Sequence, residues 1–237
     1  MTTPTTTRIV QLVLALVCCA PLIVWLATVH HPLSYVRFGG MPPGQQLYLV
    51  AKLAGLLAFC LFWTQCVLAL ARHAPVVPGF PSSDLRLHRR LGLATAALIL
   101  VHVGCFVAAT TMRTGHPAWD LLLPVFDKGF YKFNIGLGVV AFWLVSLTVF
   151  AGWRMSRGGR RWKAIHLLWP AVFGLAFWHA FTIGTESRFG VMRYLVLALV
   201  ASLVVATLAR AFRPRGRTPV PTGDRRADPD STSRVPL

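Results

Sequence analysis

A chain of 237 residues that is 55% apolar and only 13% charged, with a mean hydropathy of +0.60, is too apolar for an ordinary soluble domain. Its 24 Lys and Arg against 7 Asp and Glu leave +17, but the bases fall in short segments between apolar runs. That pattern orients a membrane protein toward anionic lipid head groups and excludes a nucleic-acid partner. All seven acids lie outside the apolar runs, and the five cysteines lie inside them without a CxxC pair, so a disordered chain, a disulfide scaffold and a cytosolic enzyme are excluded as well.

Six apolar runs, at residues 9–29, 47–70, 87–110, 134–153, 162–184 and 191–212, are each long enough to cross the roughly 30 Å of hydrocarbon that about 20 helical residues span. Lipid satisfies no stray backbone group, and the period of two that a barrel needs is absent, so the expected fold class is an all-α membrane protein, a six-transmembrane-helix bundle. The first run follows Arg8 as a signal peptide would, but it is longer than a cleaved core and no small-x-small site follows, so it reads as a retained helix. Residues 1–8 then form a short cytoplasmic tail, 9–212 the transmembrane domain, and 213–237, rich in Pro, Arg, Asp, Ser and Thr, a disordered basic cytoplasmic tail.

Orientation follows from the bases. The N-terminal tail, the loop between the second and third runs, the loop between the fourth and fifth, and the C-terminal tail hold seventeen of them, and the opposite side holds six (Arg37, Arg113, Lys128, Lys132, Arg188 and Arg193). Both termini are therefore expected on the cytoplasmic side. Lys52, a little inside the second run, is expected to snorkel outward.

Ligating side chains within a membrane helix are functional candidates by default, because lipid makes them costly. Four histidines qualify: His88 and His102 in the third run, His166 and His179 in the fifth. His30, His31, His73 and His116 fall in loops or at interfaces and read as surface residues. Fourteen residues turn a helix by about 1400°, some 40° short of four full turns, so His88 and His102 leave nearly one face, separated by about 21 Å of rise. The thirteen residues from His166 to His179 rise about 19.5 Å, which matches in height, yet turn about 1300°, roughly 140° away from a shared face. Pro170 removes the backbone bond to the His166 carbonyl and is expected to kink the helix and re-aim one ring. With the two runs parallel, His88 faces His166 on the inner side and His102 faces His179 on the outer side, an arrangement that can clamp two planar macrocycles axially. The other reading is core histidines bonded across helices in a non-redox permease or assembly factor.

A His followed by basic residues and Leu-Gly, a second His fourteen on, and a later His pair thirteen apart in a Trp-containing helix resemble the ferric-reductase and NADPH-oxidase transmembrane domain, over roughly residues 45–212. The resemblance implies two stacked b haems with bis-histidine ligation: His88 and His166 on the inner one, His102 and His179 on the outer one, as axial ligands of iron. It further implies electrons from a cytoplasmic flavoprotein carrying FAD or FMN, passed to an outer-side acceptor, whether ferric chelate, oxygen, quinone or protein, in the plasma membrane. The segments RRLGL and GRRWKAIH also resemble the haem-binding membrane subunit of the methionine-sulfoxide reductase system, although His88 is not generally required there. No strand–glycine–helix phosphate motif occurs in the sequence, so hydride cannot be taken from a nicotinamide by this chain alone. A quinone- or ascorbate-linked cytochrome places its paired ligands on other helices.

Around the histidines, Arg86, Arg89, Arg90 and Lys163 on the inner side, and Lys52, Arg113 and Arg188 on the outer, are placed to pair haem propionates or to serve as charge anchors. Phe173, Phe177 and Trp178 read first as helix-packing aromatics and second as macrocycle contacts. Gly92, Gly136, Gly138 and Gly174 are candidates for close helix approach.

Overall fold

The computed structural model describes residues 4–28, 41–73, 85–126 and 129–212. The expected disordered tail at 213–237, the loop histidines His30 and His31, and the bases Arg37 and Lys128 lie outside the described residues. Every regular element among the described residues is helical. The helices are α1 (Pro4–Thr28), α2 (Gln45–His73), α3 (Leu85–Thr114), α4 (Phe130–Ser156), the short α5 (Lys163–His166), α6 (Trp169–Ile183), the short α7 (Thr185–Phe189) and α8 (Met192–Ala211). Five described spans are long and apolar enough to cross a membrane: Gln45–Leu70, Leu85–Thr114, Phe130–Ser156, Lys163–Ile183 and Met192–Ala211. Gln11–Ala27 of α1 is a shorter apolar helix, so the described residues support five spans rather than the expected six.

The bundle is organised around α2, which packs against α1, α3, α6 and α8. Small side chains make this possible: Ala51, Ala54 and Ala58 are buried, and their short reach lets neighbouring backbones come close where lipid offers no hydrophobic drive. Gly44 opens α2 at φ +75°, and a Cβ there would lie 2.6 Å from the Ala109 carbonyl oxygen, so the start of α2 presses on the end of α3. The main apolar cluster joins Leu56, Phe59, Cys60 and Trp63 of α2 to Phe173 of α6 and to a stripe on α8. That stripe, Met192, Val196, Leu199, Leu203 and Ala206, advances by alternating steps of four and three, the signature of one helix face. α1 is tied on by Trp25, whose indole donates to the Leu49 carbonyl at 3.2 Å, and by Cys18 against Thr64 at 3.5 Å. Large apolar side chains such as Leu93, Leu100, Val205 and Phe150 point outward, the reverse of a soluble surface and the right exterior for lipid. The chain is a multi-pass membrane protein.

The fifth span differs from a simple proline kink. α5 stops at His166, Leu167 and Leu168 form a tight turn, and α6 restarts at Trp169 with Pro170 in its first turn. The Leu168 N–H bonds three residues back to Ile165 at 3.0 Å, and the next regular bond runs from Val172 to Leu168 at 3.1 Å. Proline fits a helix start because its missing N–H is one of the orphans there, so Pro170 begins a new helix rather than bending an old one. The break resolves the 140° disagreement of an ideal helix, for both rings now face α3.

Candidate functional site

Across the bundle, α3 and the α5–α6 span present their histidines in two facing pairs. The His88 and His166 ring centres are 6.1 Å apart with planes at 80°, and those of His102 and His179 are 6.3 Å apart at 83°. A metal–imidazole bond of about 2.0–2.1 Å, plus about 1.1 Å from nitrogen to ring centre, gives about 6.3 Å for two imidazoles on one ion. Both pairs have that separation. Among the described residues no group of three or more His, Cys, Asp or Glu side chains gathers around a point, so neither pair could offer an ion more than two such ligands. The rest of a six-coordinate shell has to come with the ion, as the four nitrogens of a planar macrocycle do.

Three of the four rings are aimed by one repeated device. His102 Nδ1 faces the Ala51 carbonyl at 2.7 Å, His166 Nδ1 that of Thr148 at 3.1 Å, and His179 Nδ1 that of Asn134 at 2.9 Å. Each carbonyl lies four residues before a glycine, Gly55, Gly152 and Gly138, and a Cβ on that glycine would meet the same ring. The missing side chain lets the imidazole reach a carbonyl that already closes a helical bond to the glycine. Because a carbonyl only accepts, Nδ1 carries the proton and Nε2 keeps the lone pair a metal needs.

His88 departs from the device. Its Nε2 lies 3.5 Å from Gln65 Nε2, and the Gln65 amide in turn lies over Gly92, at 2.9 Å from where a Cβ would be. Between the pairs, Thr95 is seven residues from both His88 and His102 and so shares their face of α3. It is buried, and among the described residues its hydroxyl has no partner, an uncommon state for a buried polar atom.

The His102–His179 pair lines a cavity of about 220 Å³ with Gly55, Gly138 and Phe142. At its lip Lys52 pairs with Glu186 and bonds Thr185 at 2.7 Å. Lys52 therefore does not simply snorkel to water: it meets the one acid of the α6–α8 connection and ties α2 to α7. Arg113 lies over the Tyr48 ring at 4.8 Å and bonds Gln45. Arg89 and Arg90 are exposed on α3 beside His88. Phe173 stacks on Phe59 at 5.1 Å in the main apolar cluster, Phe177 packs on Phe181 at 5.5 Å, and Trp178 is half exposed. Phe173 and Phe177 are helix-packing aromatics, Trp178 bonds Asn134 through its indole N–H, and none of the three lines the cavity.

Of the glycines expected at close approaches, Gly138 and Gly92 serve site side chains, Gly136 backs onto the Val125 carbonyl, and Gly174 faces open space. Gly55, Gly152, Gln65 and Asn134 were not legible as site residues, although Gln65 and Asn134 carry the general signal of a polar side chain inside an apolar span.

No curated protein and no solved structure matches the chain. The model of the ferric reductase like transmembrane component family matches residues 54–177, a stretch that contains His88, His102 and His166 and ends two residues before His179. With more than half of its length matched, the chain belongs to the ferric reductase-like transmembrane family.

Proposed function

We propose that this chain carries electrons across the plasma membrane through two b haems held between α3 and the α5–α6 span. Membership of the ferric reductase-like family implies transmembrane electron transfer, and the observation that carries the finer reading is the ring separation of 6.1 and 6.3 Å in two separate histidine pairs. His88 and His166 would hold the inner haem, and His102 and His179 the outer one. When bound, haem supplies a one-electron iron couple whose potential is set by its axial ligands, hydrogen bonding and dielectric.

The chain's own residues do the rest. Gly55, Gly138 and Gly152 admit the rings to their carbonyls, which fixes tautomer and aim. The two histidines of each pair would hold a haem from both sides, and the group would then supply one-electron transfer rather than an open site for a substrate. The mostly apolar lining around His102 and His179 would disfavour the extra charge of a ferric haem. Arg113 beside Tyr48 brings positive charge that could pair a propionate, whereas the charge of Lys52 is already met by Glu186. Electrons would enter from a cytoplasmic flavoprotein bearing FAD or FMN and leave to an outer-side acceptor.

One observation favours a second reading. Gln65 occupies the neighbourhood of His88 Nε2, as it would in a subunit with haem at the outer pair alone, such as the haem-binding membrane subunit of the methionine-sulfoxide reductase system. The test is the visible spectrum of detergent-purified protein, oxidised and dithionite-reduced, with pyridine haemochrome quantified against protein. A b-type band with two haems per chain is expected; one haem selects the second reading, and none after haem-supplemented expression refutes both.

A further inference from the structure

We infer that Asn134 is a positioning residue that holds the His179 ring in place, an inference that rests on the haem reading above. Asn134 lies in the second turn of α4 and is buried. Its backbone carbonyl takes the His179 Nδ1 proton at 2.9 Å. Its side chain meanwhile meets the helix that carries His179 on both sides of that residue: Oδ1 accepts the Trp178 indole N–H at 3.1 Å and lies 3.0 Å from the Thr182 hydroxyl, whose one proton it shares with the Trp178 carbonyl at 2.7 Å. Nδ2 donates to the Phe130 carbonyl at 2.7 Å, anchoring the carboxamide to its own helix.

The partners fix the orientation of the amide. An indole nitrogen only donates and a carbonyl only accepts, so oxygen must face Trp178 and nitrogen must face Phe130. The Trp178 N–H then fills one acceptor position of Oδ1, and a flipped amide would set two donors against each other. One residue thereby bonds α4 to α6 and supplies the acceptor for the imidazole. The other two carbonyls lack this coupling: Ala51 has no polar side chain, and the Thr148 hydroxyl bonds within its own helix to Val145 at 2.8 Å. Only at His179 is the ring clamped through the residue whose carbonyl it meets.

The experiment uses the full-length protein in detergent. Low-spin electron paramagnetic resonance and a redox titration are recorded for wild type, Asn134→Leu and Asn134→Asp, with His102→Ala identifying the component of the outer pair. Leucine keeps the size but removes the grip, whereas aspartic acid, neutral when buried, can still accept from Trp178 and Thr182 and donate to Phe130. The expected result is a shifted and broadened outer-pair signal with a moved midpoint potential in Asn134→Leu, an unchanged inner-pair signal, and near wild-type behaviour in Asn134→Asp. Both signals unchanged in Asn134→Leu overturns the inference. If Asn134→Leu loses both signals through misfolding, the Trp178→Phe/Thr182→Val double variant decides: a selective change at the outer pair upholds the role, and no change overturns it. Wild-type protein without a b-type spectrum fails the haem reading itself, a result distinct from any of these.

Discussion

Adding a single methyl group at Gly138 puts the ring-aiming device to its strictest test. A Cβ there would overlap the His179 imidazole at Nδ1 and Cε1, whereas Gly55 would bring its Cβ to 2.9 Å from His102 Nδ1 and Gly152 to 3.3 Å from His166 Nδ1. Forcing the overlap by moving side chain or helix costs about 1–3 kcal/mol. Losing the bond from Nδ1 to the Asn134 carbonyl adds about 1 kcal/mol, and alanine returns about 0.5–1 kcal/mol of helix preference. Gly138→Ala should therefore destabilise by about 1–3.5 kcal/mol net and displace His179, with Gly55→Ala next and Gly152→Ala least. Gly104 and Gly174, with nothing within 4 Å of a built Cβ, are the controls, and alanine there should stabilise slightly. The assay is a thermal melt in detergent alongside the haem-to-protein ratio. Gly138→Ala protein that melts with the wild type and keeps its full haem complement would refute the device.

Four further outcomes are expected. His102→Ala should halve the haem-to-protein ratio and spare the other site; an unchanged ratio contradicts the pairing. Thr95→Val, which removes a buried hydroxyl without a partner, should raise the stability of haem-free protein by about 1–3 kcal/mol, and a lowered melting temperature would mean the hydroxyl is bonded. Lys52→Met should cost about 1–3 kcal/mol by stranding Glu186 at the cavity lip, and Lys52→Met/Glu186→Gln should recover most of it; purely additive losses in that double-mutant cycle would deny the coupling. Pro170→Ala should let the helix run through Leu167 and Leu168, turn His166 away from His88 and cost the inner-pair haem while sparing the outer one; both haems at wild-type ratio would show that the turn persists without proline.

The amino-acid sequence by itself determined that this is a helical membrane protein, because long apolar runs without acids have no other stable form in lipid. It also singled out His88, His102, His166 and His179, since a histidine inside a span is costly enough to stand out, and the near-multiple of a full turn between His88 and His102 put them on one face. Tertiary structure alone decided how those rings are aimed and what holds them. The thirteen-residue interval in the fifth span contradicted a shared face until the chain broke at Leu167 and Leu168, and no periodicity rule predicts how far a proline-started helix turns. The carbonyls of Ala51, Asn134 and Thr148 could not be found in advance, because every helical residue has one and only the packing shows which are reached. Gly174 was expected at a close approach and Gly55 and Gly152 were not, yet the latter two receive a ring and Gly174 faces open space. Spacing along one helix is local geometry that a sequence carries, whereas contacts between helices depend on how breaks, small residues and side-chain bonds set their relative rotation.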